Sequence, residues 1–278
     1  MLNGTSSGDA SHVVAGQERY SGWRAAVELG GAGWGAAALA ALAELSRPVG
    51  RTADDVVASL AHSTAGSLYR QAGRHADALI FDGRALAAAA ATRRPDPAAR
   101  WAMGDALVNL AADNLGLARF GASRRLLARA AAVLGGDVAT PADPWEGVAR
   151  CRLRLWWVRT ELALYTGDAP TAVLCADRAV RLLDARPDGG TPRHRVKTEL
   201  IAAAARAATM PDAATAAARR ARRSAHDLGL IPLEWAAVSL QLGLGDDRAD
   251  RGDLERLTDC LADRGMPLPD RSDAPGRR

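Results

Sequence analysis

Apolar residues along this chain, chiefly alanine and leucine, occur in long segments that lack the strict alternation of a β-strand. Alanine and leucine both favour helices, whereas the residues typical of strands are scattered. Short turns containing glycine or proline interrupt these segments ten times, which predicts about eleven helices. The turns lie at residues 30–33, 47–50, 72–74, 95–97, 120–122, 135–144, 166–168, 187–192, 210–212 and 228–232. We therefore expect an all-α protein.

The turns alternate between tight and loose, which predicts a series of two-helix hairpins. Gly73, Gly121, Gly167 and Pro211 mark equivalent tight turns 44 to 48 residues apart. Hairpins that repeat in this way stack, because one hairpin alone cannot bury its second face. The predicted fold is a right-handed α-solenoid of about five antiparallel hairpins in residues 19–263. We expect the turn-rich segments 1–18 and 264–278 on either side of it to be flexible.

Two stretches of the chain carry small residues at matching positions. Residues 60–85 contain Gly66, Tyr69, Gly73, Ala78 and Ala85, and residues 156–179 contain Trp156, Gly167, Ala172 and Ala179. This spacing resembles that of the tetratricopeptide repeat family. The resemblance implies hairpins in which small residues let two helices approach closely and an aromatic residue fills the wedge to the next hairpin. It also implies that the concave surface binds a protein or a peptide.

Composition and charge exclude few function classes. The formal net charge is +4, and 32 acidic residues are interleaved with 36 basic ones, which gives no strong indication of nucleic-acid binding. The three cysteines are far apart and form no CxxC pair, so we expect neither disulfides nor a zinc site. No apolar stretch reaches the length of a membrane span and no export signal is recognisable, so a cytoplasmic location is expected.

Motifs that carry catalysis are missing from the sequence. The five histidines form no HxxxH or HExxH pair, and no phosphate-binding or nucleophile-elbow motif occurs. We therefore expect no enzyme activity, no cofactor, no metal and no catalytic residue.

The most distinctive polar group is formed by Asp105, Asn109 and Asp113, which are four residues apart on a predicted helix. This spacing places them on one helical face. Two interpretations stay open, an ordinary solvated face and the lining of the concave groove. By the resemblance, the groove would also present Ser63, Ser67 and Arg70 from one hairpin and Arg154, Trp157 and Glu161 from another. Such residues would suit a peptide that carries a carboxylate.

Two basic clusters lie later in the chain, and each allows two interpretations. One runs from Arg193 to Lys197 at a helix start, and the other comprises Arg219, Arg220, Arg222 and Arg223. Either could be a solvated surface or a phosphate contact, although no aromatic residues are interleaved with the arginines as in proteins that bind single-stranded nucleic acid.

These observations favour a tetratricopeptide-like module that recognises a protein or peptide partner, in a bacterial regulatory system. The alanine and arginine bias is typical of GC-rich bacterial genomes and reflects codon usage rather than function. The alternative is a nucleic-acid-associated protein that uses the basic surface between Arg193 and Arg223. An enzyme with an unrecognised site is the third hypothesis. The sequence leaves the oligomeric state open.

Overall fold

The computed structural model describes residues 7–47, 55–92, 97–135, 145–186 and 190–268. All regular structure in these ranges is helical, so the prediction of an all-α protein is confirmed. The helices are α1 (Ser7–Gly31), α2 (Gly35–Leu45), α3 (Asp55–Gln71), α4 (His75–Ala91), α5 (Pro97–Gly116), α6 (Phe120–Val133), α7 (Arg150–Tyr165), α8 (Ala169–Asp184), α9 (Pro192–Arg206), α10 (Pro211–Asp227), α11 (Ile231–Gly243) and α12 (Arg251–Asp263). A π-helical turn, Trp145–Ala149, leads into α7.

Helices in the described ranges number twelve rather than the eleven predicted, because a turn around Gly245 separates α11 from α12. None of these helices combines the length and the hydropathy needed to cross a bilayer.

Five of the short turns share one backbone geometry, which the turn predicted to be equivalent at Pro211 lacks. Gly33, Gly73, Ala118, Gly167 and Gly229 all have positive φ, and in each case the next residue's N–H bonds to a carbonyl five residues earlier. This is the Schellman arrangement, which favours glycine because a Cβ is strained at positive φ. The predicted turn at Gly121 was placed wrongly, since Ala118 takes the positive-φ position and Gly121 lies inside α6.

Consecutive helices pack against each other as antiparallel pairs would, from α1 with α2 to α11 with α12. The first helices of successive pairs also contact one another, in the order α1, α3, α5, α7, α9 and α11. Helices α3, α5, α7 and α9 are therefore neighbours in space, although they are far apart in sequence.

Small residues at the contact positions allow this close packing. Completely buried alanines occur in most helices, including Ala38, Ala78, Ala102, Ala130 and Ala218. A Cβ added at Gly104 would lie 2.5 Å from Leu134 Cδ2, and one added at Gly66 would lie 2.5 Å from Asp82 Oδ2. The close approach predicted at Gly66 is thus present, between α3 and α4.

Alanine substitutions at two helical glycines should have opposite effects on stability. Gly66→Ala is expected to lower the free energy of unfolding by about 1–3 kcal/mol, because its methyl group would displace the Asp82 carboxylate. The matched control Gly83→Ala meets no atom within 4 Å. It should raise the free energy of unfolding by about 0.4–1 kcal/mol by restricting the unfolded chain. Denaturant titration measures both, and equal shifts would contradict the packing at Gly66.

The two ends of the helix series meet. The Arg264 carbonyl accepts a hydrogen bond from Ala36 N–H at 3.1 Å, and Arg264 Nη1 donates to the Ala32 carbonyl at 2.6 Å. Met266 and Leu261 are buried in the same apolar cluster as residues of α1 and α2. Residues 264–268 are therefore packed, although the sequence predicted a flexible tail from 264. The first helix begins at Ser7, twelve residues before the predicted start of the domain. Residues 1–6 and 269–278 lie outside the described ranges.

Candidate binding face

The eight residues predicted to bind a partner lie on three neighbouring helices. Ser63, Ser67 and Arg70 are on α3, Asn109 and Asp113 on α5, and Arg154, Trp157 and Glu161 on α7. Because α3 contacts α5 and α5 contacts α7, these residues lie on three adjoining first helices. We call the surface to which these eight residues belong the candidate face.

Arg70 forms one half of a buried ion-pair system in the candidate face. Its Nη1 donates to Asp82 Oδ2 at 2.9 Å and also to Asp113 Oδ1. The Arg70 side chain is only 14% exposed, and both carboxylates are fully buried. Asn109 Nδ2 donates to Asp82 Oδ1 at 2.9 Å and to the Ser63 carbonyl at 3.2 Å. Charges that leave water require such partners, because an unpaired buried charge costs several kcal/mol.

The other half is centred on Asp105. Arg150 Nη2 donates to Asp105 Oδ2 at 2.8 Å, and Arg154 Nη1 donates to the other carboxylate oxygen. Arg154 Nη2 also donates to Asn109 Oδ1, which joins this half to the one around Arg70. We call the whole set the polar network; its members are Arg70, Asp82, Asp105, Asn109, Asp113, Arg150 and Arg154.

The carboxylates of the polar network have different protonation behaviour. Burial raises the pKa of Asp82 well above its ordinary value, against the opposing effect of Arg70. Burial raises the pKa of Asp113 as well. At Asp105 burial has the largest single effect, but Arg150 and Arg154 together outweigh it and hold the pKa below its ordinary value. The carboxylates around Arg70 therefore retain a proton more readily than Asp105, which has two arginine partners.

Asp82→Asn should flatten the pH dependence of stability. A raised folded-state pKa means that the folded protein keeps a proton that the unfolded chain releases. This contribution is complete below the ordinary aspartate pKa and is lost as pH rises through the raised value, by at most about 1.4 kcal/mol per pH unit. Asparagine does not titrate but still offers Asn109 an acceptor oxygen. Urea titrations from about pH 4 to about pH 8 measure the slope.

The control for this substitution is Asp77→Asn, on the same helix. Asp77 is partly exposed and pairs with Arg74 at 2.7 Å. The Asp77→Asn variant should keep the wild-type dependence of stability on pH. A wild-type slope in Asp82→Asn would contradict the assignment of the retained proton to this carboxylate pair.

Burial divides the predicted binding residues into two groups. Ser63 is only 2% exposed, and Asn109 and Asp113 are buried with it, so the interpretation of a solvated face on α5 is wrong. Ser67 and Glu161 are partly exposed. Trp157 is buried, and its Nε1 donates to Thr198 Oγ1 on α9 at 2.9 Å. The sequence correctly grouped these residues on neighbouring helices but did not distinguish the accessible ones.

The candidate face continues onto α9, where two cations lack carboxylate partners. Arg193 and Lys197 are partly exposed, and no carboxylate oxygen of the described residues lies within 4.0 Å of either. Lys197 Nζ lies 5.6 Å from the centroid of the Trp157 ring. His194, between the two cations, stacks on Trp157 with centroids 5.7 Å apart. We call Arg193 and Lys197 the cationic pair.

Sequence reasoning missed three residues that organise the candidate face: Asp82, Arg150 and Thr198. Asp82 lies on α4, the second helix of its pair, from which the sequence suggested no binding residue. The one indication in the sequence was a carboxylate among the alanines of that helix. The structure places it opposite Gly66. Arg150 and Thr198 carry no sequence signal of their own, because their partners are 45 and 41 residues away.

Most of the second basic cluster, on α10, is neutralised. Arg219 pairs with Asp246, Arg220 with Glu199 at 2.9 Å, and Arg222 with Asp253 at 2.5 Å. Arginines with carboxylate partners contribute little net field, so this surface offers phosphates less positive charge than the sequence suggested.

No three His, Cys, Asp or Glu side chains in the described ranges converge as they would around a metal ion. Comparison with protein-family models, with curated proteins and with solved structures finds no match to this chain.

Proposed function

We propose that this protein is an interaction module, a tetratricopeptide-like right-handed solenoid that recognises a protein or peptide partner on its candidate face. The supporting contacts are those between the first helices of successive pairs, since stacking of this kind gives repeat proteins their extended binding surfaces. A bacterial regulatory system is the proposed context. The resemblance of residues 60–85 and 156–179 to the tetratricopeptide repeat family supports the same proposal.

The observation that carries the proposal is the combination of a rigid base and accessible polar groups. The polar network locks the side chains of α3, α4, α5 and α7 together through buried ion pairs. Ser67 and Glu161, on two of these helices, and Lys197, on α9, are partly exposed. Binding sites gain affinity when the groups that contact the ligand need little ordering, and a buried network below them supplies that order.

Selection of peptides from a displayed random library against the full chain tests the proposal. The affinity of a selected peptide for Glu161→Lys should be at least about tenfold weaker than for the wild type, because a reversed charge at a contact costs about 1.4 kcal/mol or more. Arg129→Glu is the matched control, since Arg129 is exposed on α6, a second helix. It should change the affinity by less than about twofold. Failure to enrich any peptide, or equal losses in both variants, would contradict the proposal.

A second measurement tests the alternative function, which is nucleic-acid association through the surface from Arg193 to Arg223. Binding of the full chain to duplex and single-stranded DNA is measured at increasing salt. Phosphate-driven affinity would fall steeply, with a slope that grows with the number of phosphates contacted. Because three of the four arginines on α10 have carboxylate partners, we expect no binding above the weak level of a general surface attraction.

A further inference from the structure

The cationic pair differs from every other cation in the candidate face. Arg70 has two carboxylate partners, and Arg150 and Arg154 share Asp105. Arg193 and Lys197, which are one helical turn apart on α9, have none within 4.0 Å among the described residues. Positive charge is therefore in excess at this end of the candidate face.

The surroundings make this excess unfavourable in the free protein. Burial lowers the pKa of Lys197, and Arg193 and Arg154 add to that effect against the opposing charge of Glu161. Burial also lowers the pKa of Arg193, against the opposing charge of Glu28. The two carboxylates act only from beyond ion-pair distance. Partly desolvated cations without close partners would be stabilised by an anion between them.

Aromatic side chains form a wall beside the cations. His194 packs against the Trp145 ring edge-on, with centroids 4.9 Å apart, and stacks on Trp157 at 5.7 Å. Burial and the neighbouring arginines hold the pKa of His194 well below its usual value, so it adds no charge at neutral pH. The hydrogen bond from Trp157 to Thr198 fixes the orientation of the wall. An anion here would be bound on one side by charge and bordered on the other by the partly exposed rings of His194 and Trp145.

We propose that Arg193 and Lys197, with the wall of Trp157, His194 and Trp145, form an anion-binding subsite of the candidate face. Its ligand is a carboxylate or a phosphate group of the recognised partner, since both offer oxygen acceptors to a guanidinium and an ammonium group. This inference rests on the proposed function, because it assigns a ligand group to the same face.

The thermal midpoint of the full chain in different anions tests the subsite. Wild type, Arg193→Met/Lys197→Met and Arg195→Met are compared in sodium chloride, acetate and phosphate at equal ionic strength. Methionine keeps an apolar stem and removes the charge. Arg195 is the control, because it is exposed on the same helix and lies 3.9 Å from Asp184. A ligand that binds only the folded state raises the midpoint.

We expect acetate, phosphate or both to raise the midpoint of wild type and Arg195→Met by about 2–4 °C above its value in chloride, the shift that a site in about tenfold ligand excess produces in a protein of this size. The double variant should show less than about 1 °C. A rise with phosphate alone would assign a phosphate group, and a rise with acetate alone would assign a carboxylate. An equal rise in the double variant would reflect general salt stabilisation and overturn the proposal. Absence of any rise in wild type would overturn it too.

The midpoint at low salt without added anion gives a second readout. Replacement of the cationic pair should leave this midpoint unchanged or raise it. A lower midpoint in the double variant would show that the two cations stabilise the fold and would overturn the proposal. Failure of the subsite and failure of the proposed function are distinguishable. Peptide binding without an anion effect would refute only the subsite, and an anion effect without peptide binding would refute only the peptide module.

Discussion

The Arg70→Met variant is expected to lose about 3–5 kcal/mol of its free energy of unfolding, the usual result of removing one partner from a buried ion pair. Arg70 is the cation shared by Asp82 and Asp113, both fully buried. The attraction of these two carboxylates raises the pKa of Arg70 even though burial alone would lower it. Without the guanidinium, one carboxylate would stay charged without an ion-pair partner or both would have to be protonated. Denaturant titration at neutral pH measures the loss.

The control for Arg70→Met is Arg74→Met, four residues further along the chain. Arg74 pairs with Asp77 at 2.7 Å, but both side chains are about two-fifths exposed. An exposed pair contributes about 0–1 kcal/mol, so this variant should be close to wild type. Similar losses in both variants would contradict the buried network. Because Arg70→Met is expected to destabilise the fold, a loss of binding in this variant could not be attributed to a lost contact with the partner. Binding at the candidate face is therefore tested at Glu161, which is more accessible.

Met266→Ala is expected to lower the free energy of unfolding by about 2–5 kcal/mol, the range for a buried methionine cut back to alanine. Met266 follows the last helix but is buried among residues of α1 and α2, including Trp23 and Ala38. Its backbone also lies against Gly35, where an added Cβ would meet Met266 Cα at 2.6 Å. The side chain therefore helps to hold the last helix pair against the first. Denaturant titration measures the loss, and hydrogen exchange in α2 locates it.

The matched control is Met210→Ala, before α10. Met210 is 44% exposed, so the same truncation removes little buried surface and should change the stability by less than about 0.5 kcal/mol. An effect of Met266→Ala as small as this would mean that the contact between the two ends contributes little. A large loss of stability without faster hydrogen exchange in α2 would mean that Met266 stabilises only its own segment and not the contact with α2.

The local elements of this protein could be predicted from sequence because they depend on local chemistry. Alanine and leucine favour helix wherever they dominate, and Gly73 and Gly167 end helices because positive φ is easy for glycine. The same reasoning failed at Ala118, where an alanine takes the strained position and the nearby Gly121 misled the assignment. It also missed the turn at Gly245, a further glycine with positive φ.

The candidate face could be predicted only in part. The spacing of Asp105, Asn109 and Asp113 correctly placed them on one side of α5, since helical periodicity is local. Whether that side meets water or carboxylate partners depends on which helices pack against it, and that information is spread over the whole chain. The sequence left open whether this side of α5 was solvated or lined a groove, and the structure excludes the solvated face because these polar groups are buried in ion pairs and hydrogen bonds.

The sequence by itself determined the helical class, most helix boundaries and the set of polar residues on the first helices, because each follows from interactions between residues close along the chain. Only the tertiary structure decided which charges are neutralised and which of these residues are exposed. It also decided that the two ends meet through Arg264 and Ala32, which are 232 residues apart. The physical reason is that burial and charge pairing depend on distance in space, and a cation such as Lys197 looks the same in sequence whether or not a carboxylate folds beside it.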